Sequence, residues 1–288
     1  MLDLSYFQND RNVNTQTFTN AGSWTTWVKP RGAKFVNILC IGSGGGGGGG
    51  FQAAAGNKSG GSGGGGGAIM NASFPASILP DILYVYTGVG GTGGLGGSSP
   101  TSGSNGEKSY VCLVPDTSSF TRIVVTSGNI SARGGISGST IQTANPAGEN
   151  GATATDAAFL NLGNFLGTNG TVGAAGVLGI ATSNTDITQI CMGGSAGGGT
   201  GTGGAFSPSG PFPGNTPAAV NTSGANGIIL YKPILGFQAA GGGGGLTNGG
   251  KGGDSPYGCG GGGGGAGTST AGNGGNGGDG LIIITTSF

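Results

Sequence analysis

The 288-residue chain contains no histidine. Histidine is the commonest general base and metal ligand, so its absence removes Ser-His-Asp and Cys-His catalysis and most zinc sites. Charge is also scarce: Asp, Glu, Lys and Arg together make up 7% of the residues, ten acidic against ten basic. The electrostatic footprint of a nucleic-acid binder is therefore missing, and so is the self-repulsion that keeps charged tails disordered. No apolar run approaches the roughly 18 residues of a membrane span, and "MLDLSYFQND" has neither a basic segment nor an apolar segment of a signal peptide. No membrane insertion is expected.

Proline numbers 12 against 75 glycines, and pure glycine runs break any G-x-y register, which excludes a collagen triple helix. The four cysteines, Cys40, Cys112, Cys191 and Cys259, are far apart and form no CxxC pair. Reduced, buried thiols are the expectation, with a disulfide framework as the alternative. The carboxylates are scattered and single out no acid/base pair. "GNKSG" and "GGKGG" both miss the phosphate-loop pattern, and GxGxxG matches inside glycine tracts carry no information. Asp254 and Asp279 belong to no calcium-loop pattern and are expected to cap or turn the chain. No catalytic residue, cofactor-binding residue or metal ligand is assigned. The chain is expected to be no enzyme and to use no cofactor.

What remains is glycine, and strands between the glycines. "TQTFT", "SWTTWV" and "AKFVNILCI" read as three N-terminal strands joined as a β-meander, with Trp24 and Trp27 on opposite faces and a turn at "KPRG". The β-branched end "LIIITTSF" needs a partner for its edge and is expected to return to those strands. Further strand signals, "AIMNASF", "ILYVYT", "SYVCLV", "TRIVVT" and "GIILY", alternate with glycine tracts at 42–50, 60–67, 88–97, 193–204, 240–253, 258–267 and 272–280.

Flexible linkers do not recur seven times within one small chain whose strands need each other for a core. Glycine-rich rods in the threefold polyproline II geometry can instead approach closely and hydrogen-bond laterally, each backbone N–H and C=O finding a neighbouring rod. The ordering cost, about 1–2 kcal/mol per residue, is offset only when many rods pack together. The expected fold is mainly β plus polyglycine II, with little or no α-helix. A small β-layer from residues 1–43 and 281–288 would join a glycine-rich slab over 44–280, in one cooperative unit.

Two groups of candidate contact residues stand out. Phe206, Phe212 and Tyr257 lie in proline-punctuated loops at the ends of glycine tracts and are candidates for receptor contact, or for capping the slab against solvent. Lys29, Arg31 and Lys34 cluster at the N-terminal turn and are candidates for partner contact, or for protection of a strand edge. The echo of "GFQAAAG" (50–56) in "GFQAAGG" (236–242) is either chance or marks two equivalent positions at the rim of the slab, carrying Phe51 and Phe237.

The order of "FTNAGSWTTWVKPRGAKFVNILCIGSGGGGGGG", "LYVYTGVGGTGG" and "GCGGGGGG…GGNGGDGLIIITTSF" resembles the glycine-rich domain of bacteriophage tail and tail-fibre proteins over about residues 18 to 288. The resemblance implies a virion structural protein on the particle exterior, a tail-fibre tip or fibre subunit that displays loops to a host-cell receptor. The alternative is a capsid or tail decoration protein. Partners would be other virion proteins and the host receptor, with homo-oligomerisation left open. "VKPRG" stands where many members have "VP.G", and no binding residue can be carried over, because the loops are where such proteins differ.

Overall fold

The computed structural model describes residues 13–55, 58–128, 131–139, 164–168, 193–199, 201–205, 217–230 and 236–288. The described residues are mainly β, and their helical elements are two three-residue 3-10 turns. The strands are β1 (Val13–Phe18), β2 (Trp24–Val28), β3 (Phe35–Ile41), β4 (Ile69–Pro75), β5 (Ile82–Tyr86), β6 (Tyr110–Cys112) and β7 (Ile123–Thr126). They continue with β8 (Asn164–Thr168), β9 (Ile229–Leu230), β10 (Gly236–Phe237), β11 (Leu246–Asn248), β12 (Gly267–Thr270) and β13 (Leu281–Ser287).

Two antiparallel sheets face one another, in the orders β1-β13-β3-β4-β8 and β2-β5-β6-β7. The C-terminal strand β13 lies between β1 and β3, with Ile282 opposite both Phe18 and Cys40. The three N-terminal strands do not form the expected meander. β2 leaves for the second sheet and pairs with β5, Trp27 opposite Leu83. The "KPRG" turn is present, with Gly32 at φ +83°, but it carries the chain round a corner between sheets rather than closing a hairpin. The reason lies in burial. Trp27 is fully buried and packs in one core with Val36, Ile38, Val85, Val111, Ile282 and Ile284, which a single layer could not cover.

Beyond the sandwich, the glycine tracts form a hydrogen-bonded array with a period of three. Gly44, Gly47 and Gly50 donate to Gly278, Gly275 and Gly272; Gly45 and Gly48 donate to Gly65 and Ser62; Gly46 and Gly49 donate to Ser104 and Thr101, all at 2.8–3.1 Å. The carbonyls repeat the pattern toward three other segments. Gly44, Gly47 and Gly50 accept from Gly91, Gly94 and Gly97; Gly45 and Gly48 accept from Gly261 and Gly264; Gly46 and Gly49 accept from Gly135 and Gly138. The 44–50 tract thus has six neighbours, and every one of its N–H and C=O groups is satisfied without water. The 261–266 tract is surrounded in the same way, by segments at 45–48, 61–64, 195–198, 243–246, 250–253 and 272–275.

Close approach explains the residue choice. A Cβ on Gly47 would overlap the Gly262 carbonyl, and a Cβ on Gly264 would overlap that of Gly272. Where a tract reaches the surface, side chains return at every third place and complete the hydrogen bonding. Asn273, Asn276 and Asp279 accept from the amides of Gly96, Gly93 and Gly90 at 2.9, 2.9 and 2.8 Å. Asp254 accepts from the Asn276 amide at 2.7 Å. Both Asp254 and Asp279 therefore cap backbone amides.

A buried polar junction ties array to sandwich. Ser109 donates its hydroxyl to the Ile41 carbonyl at 2.7 Å and accepts from the Gly88 amide at 3.1 Å, and its own amide donates to the Ser127 hydroxyl at 3.0 Å. On the same side, Phe237 packs with Ile41, Ile69, Cys259 and Leu281 in a second apolar cluster. Phe51 is only half-buried and sits beside Gly97, so the two echoing segments do not occupy equivalent environments.

Candidate functional site

The outward face of the second sheet carries aromatic residues on three of its four strands, with Tyr84 and Tyr86 both on β5. Period-two alternation turns Trp27, Leu83, Val85 and Val111 inward, which leaves Trp24, Tyr86 and Tyr110 outward. The register makes them direct neighbours: Trp24 opposite Tyr86, and Tyr86 opposite Tyr110. Ring centroids are 5.2 Å apart for Trp24 and Tyr86 and 6.4 Å apart for Tyr86 and Tyr110, with the rings tilted by 47° and 49°. Such cross-strand pairs stabilise a sheet. Here they also floor an open cleft of about 440 Å³ whose other walls are Gly106, Glu107, Lys108, Thr117 and Ser131.

Each wall is held in place. Glu107 Oε2 accepts from the Tyr86 hydroxyl at 2.7 Å and from the Val89 amide at 3.2 Å. Its main chain belongs to the array, with Glu107 donating to the Val89 carbonyl and accepting from Ser43. The Gly106 amide donates to Ala132 at 2.9 Å. Thr117 sits on a loop tied by Asp116, which accepts from the Ser118 amide at 2.8 Å and pairs with Arg122. The Ser118 amide and hydroxyl, followed by Arg122, hold the exposed Asp116 carboxyl below the usual carboxylate range. Burial, and after it the hydrogen bond to Glu107, pushes the Tyr86 hydroxyl up to about 12. Tyr110 is also raised, chiefly by burial. The cleft offers flat rings, hydroxyls, one carboxylate and one ammonium.

The residues singled out by sequence lie elsewhere. Phe206 and Phe212 fall outside the described residues. Tyr257 is half-buried and stands edge-on to Phe237, with centroids 6.2 Å apart at 80°, packed against the second apolar cluster. Arg31 and Lys34 are exposed at the corner between the sheets. Lys29 folds back instead: its ammonium donates to the Leu79 and Ala76 carbonyls at 2.7 and 3.2 Å and pairs with Asp81 at 3.0 Å. It thereby holds the turn at Ala76–Ile78 against the sheet corner. Replacing Lys29 by alanine is expected to cost about 1–2 kcal/mol in a denaturant titration, mainly from the carbonyl bonds, since the partner carboxylate is solvated. Arg31→Ala should stay within about 0.5 kcal/mol.

Cys40, Cys112 and Cys259 are buried and take part in no disulfide. Burial pushes Cys40 up strongly and Cys112 to about 12 from its ordinary 9.0. Native protein at pH 8 is therefore expected to resist alkylation by iodoacetamide at these three positions, with full labelling after unfolding in guanidinium, read by peptide mass mapping. For Cys112 the folded state holds its proton more tightly than the unfolded chain. Its contribution to stability is complete below pH 9 and is lost as pH rises toward 12.

The aromatic cleft escaped the sequence reading because its three rings come from strands far apart in the chain. The available signal was at least one outward aromatic in each of "SWTTWV", "ILYVYT" and "SYVCLV", and it becomes a site only once the register is known. No curated protein matches this sequence. A family model described as a glycine-rich domain matches residues 18–287, from the end of β1 through β13 and across both sandwich and array. The chain is a member of this glycine-rich domain family.

Proposed function

We propose that this chain is a non-enzymatic structural protein of a bacteriophage virion, carried on the particle exterior as a tail-fibre tip or fibre subunit, where it contacts a host-cell receptor. We further propose that its glycine tracts adopt the polyglycine II geometry. The observation that carries the reading is the array around residues 44–50, in which backbone bonds to six neighbours replace a side-chain core. Such an array is a stiff support that needs no cofactor, and its surface segments can vary without disturbing the interior. The sequence resemblance to phage tail and tail-fibre domains supports the same assignment.

Recognition would be weak per copy and strong per particle, because several copies on one virion turn later contacts into intramolecular events. Purified protein added to host cells before infection should bind them and lower adsorption of the parent phage. No binding and no interference, together with loss of particle assembly when the strands of the sandwich are deleted, would replace receptor recognition by a purely structural decoration role.

A further inference from the structure

We propose that the cleft over Trp24, Tyr86 and Tyr110 is a carbohydrate-binding site for uncharged pyranose units of a cell-surface glycan. This deepens the receptor reading above and rests on it for its biological setting. A pyranose ring presents a face of C–H groups and a rim of hydroxyls, and a site for it needs a flat apolar floor with polar groups at the edges. Three outward rings in direct cross-strand register supply the floor. Glu107, Lys108, Thr117 and Ser131 line the edges, an acceptor, a cation and two hydroxyls that serve both ends of a sugar O–H.

Two features select this ligand over others that stack on aromatic rings. The cleft balances one carboxylate against one ammonium, and the whole chain balances ten acidic against ten basic residues. A single-stranded nucleic acid needs a basic groove along its phosphates, and a polyanionic glycan needs an excess of cations. An uncharged sugar needs neither. The second feature is rigidity. Glu107 is held by the Tyr86 hydroxyl and the Val89 amide, and Gly106 and Ser131 adjoin array segments bonded through Ala132, so a weak ligand meets little ordering cost.

The two tryptophans provide the test. Trp24 lines the cleft while Trp27 is fully buried in the sandwich core, so a Trp27→Phe protein reports on the cleft alone by fluorescence. The probes are hexamers of glucose, galactose and N-acetylglucosamine, with hexameric galacturonate and an oligo-dT as charged comparisons, each titrated to about 10 mM, beyond the range of a millimolar site. A saturable change with at least one uncharged hexamer is expected. Binding followed calorimetrically on the otherwise native chain should weaken roughly tenfold or more in Trp24→Ala and in Tyr110→Ala, the scale of one lost stacking contact. Unchanged far-ultraviolet dichroism would show that both variants fold.

No response to any uncharged hexamer, or a response to the charged probes alone, overturns the inference. Sugar affinity unchanged in two folded variants also overturns it, by placing the sugar elsewhere. The two readings fail separately. If the native protein and both variants bind host cells equally well, receptor recognition stands and the cleft is not its site. If the hexamers bind in the cleft but cells do not bind, the carbohydrate site stands and the receptor reading falls.

Discussion

Replacing Gly47 by alanine is expected to cost about 3 kcal/mol or more and to melt the glycine array as a unit, the upper range for overpacking a site that cannot relax. Gly47 is buried in a tract with six neighbours; its amide donates to Gly275 and its carbonyl accepts from Gly94, each at 2.8 Å. The added methyl would overlap the backbone carbonyl of Gly262, so relief requires moving a whole tract, not a side chain. Moving that tract breaks the bonds Gly262 shares with Gly253 and Gly275. The damage therefore spreads. Amide hydrogen exchange gives the readout: native protein should place the amides of 44–50 in its slowest class, and the variant should lose that protection along the tract and in its neighbours. Leu95→Ala is the control. Leu95 belongs to an adjoining tract but is 62% exposed, and its loss should change stability by about 0.5 kcal/mol at most. Comparable losses in the two variants would show that lateral packing of the tracts contributes little.

Trp27→Ala should cost about 3–5 kcal/mol, the range for deleting a large buried aromatic. Trp27 heads the largest fully buried side chains and is contributed by β2, the strand that crosses to the second sheet. Its removal leaves a cavity in the core between the two sheets. Trp27→Phe should cost much less, within about 1.5 kcal/mol. The indole Nε1 is buried with no hydrogen-bond partner, so phenylalanine sheds an unsatisfied donor while it keeps most of the ring. Guanidinium unfolding followed by far-ultraviolet dichroism distinguishes the two variants, and equal losses would mean that the polar edge of Trp27 matters more than its volume.

The absence of histidine, the low charge and the recurring glycine tracts were readable without coordinates, because each depends on composition or local order. The strand runs were equally legible. "AIMNASF", "ILYVYT" and "TRIVVT" all fall on strands, since β-branched and aromatic alternation is a local signal. The return of "LIIITTSF" to the N-terminal strands could be anticipated from its unpaired edge. Pairing could not. The meander failed because the corner at Pro30 to Gly32 and a hairpin turn carry the same residue signals, and what separates them is whether Trp27 finds one covering layer or two.

The candidate site divides in the same way. Lys29, Arg31 and Lys34 stand together in sequence, yet Lys29 is drawn onto the Ala76 and Leu79 carbonyls while the other two stay exposed. Trp24, Tyr86 and Tyr110 are separated by dozens of residues and meet because β2, β5 and β6 are adjacent in one sheet. Composition and periodicity established that this chain builds strands and close-packed glycine backbone without histidine chemistry, since those properties follow from residue types and their spacing. The six neighbours of the 44–50 tract, the crossing of β2 and the aromatic cleft depend on contacts between residues remote in the chain. Such contacts follow from register and mutual burial, which no local pattern encodes.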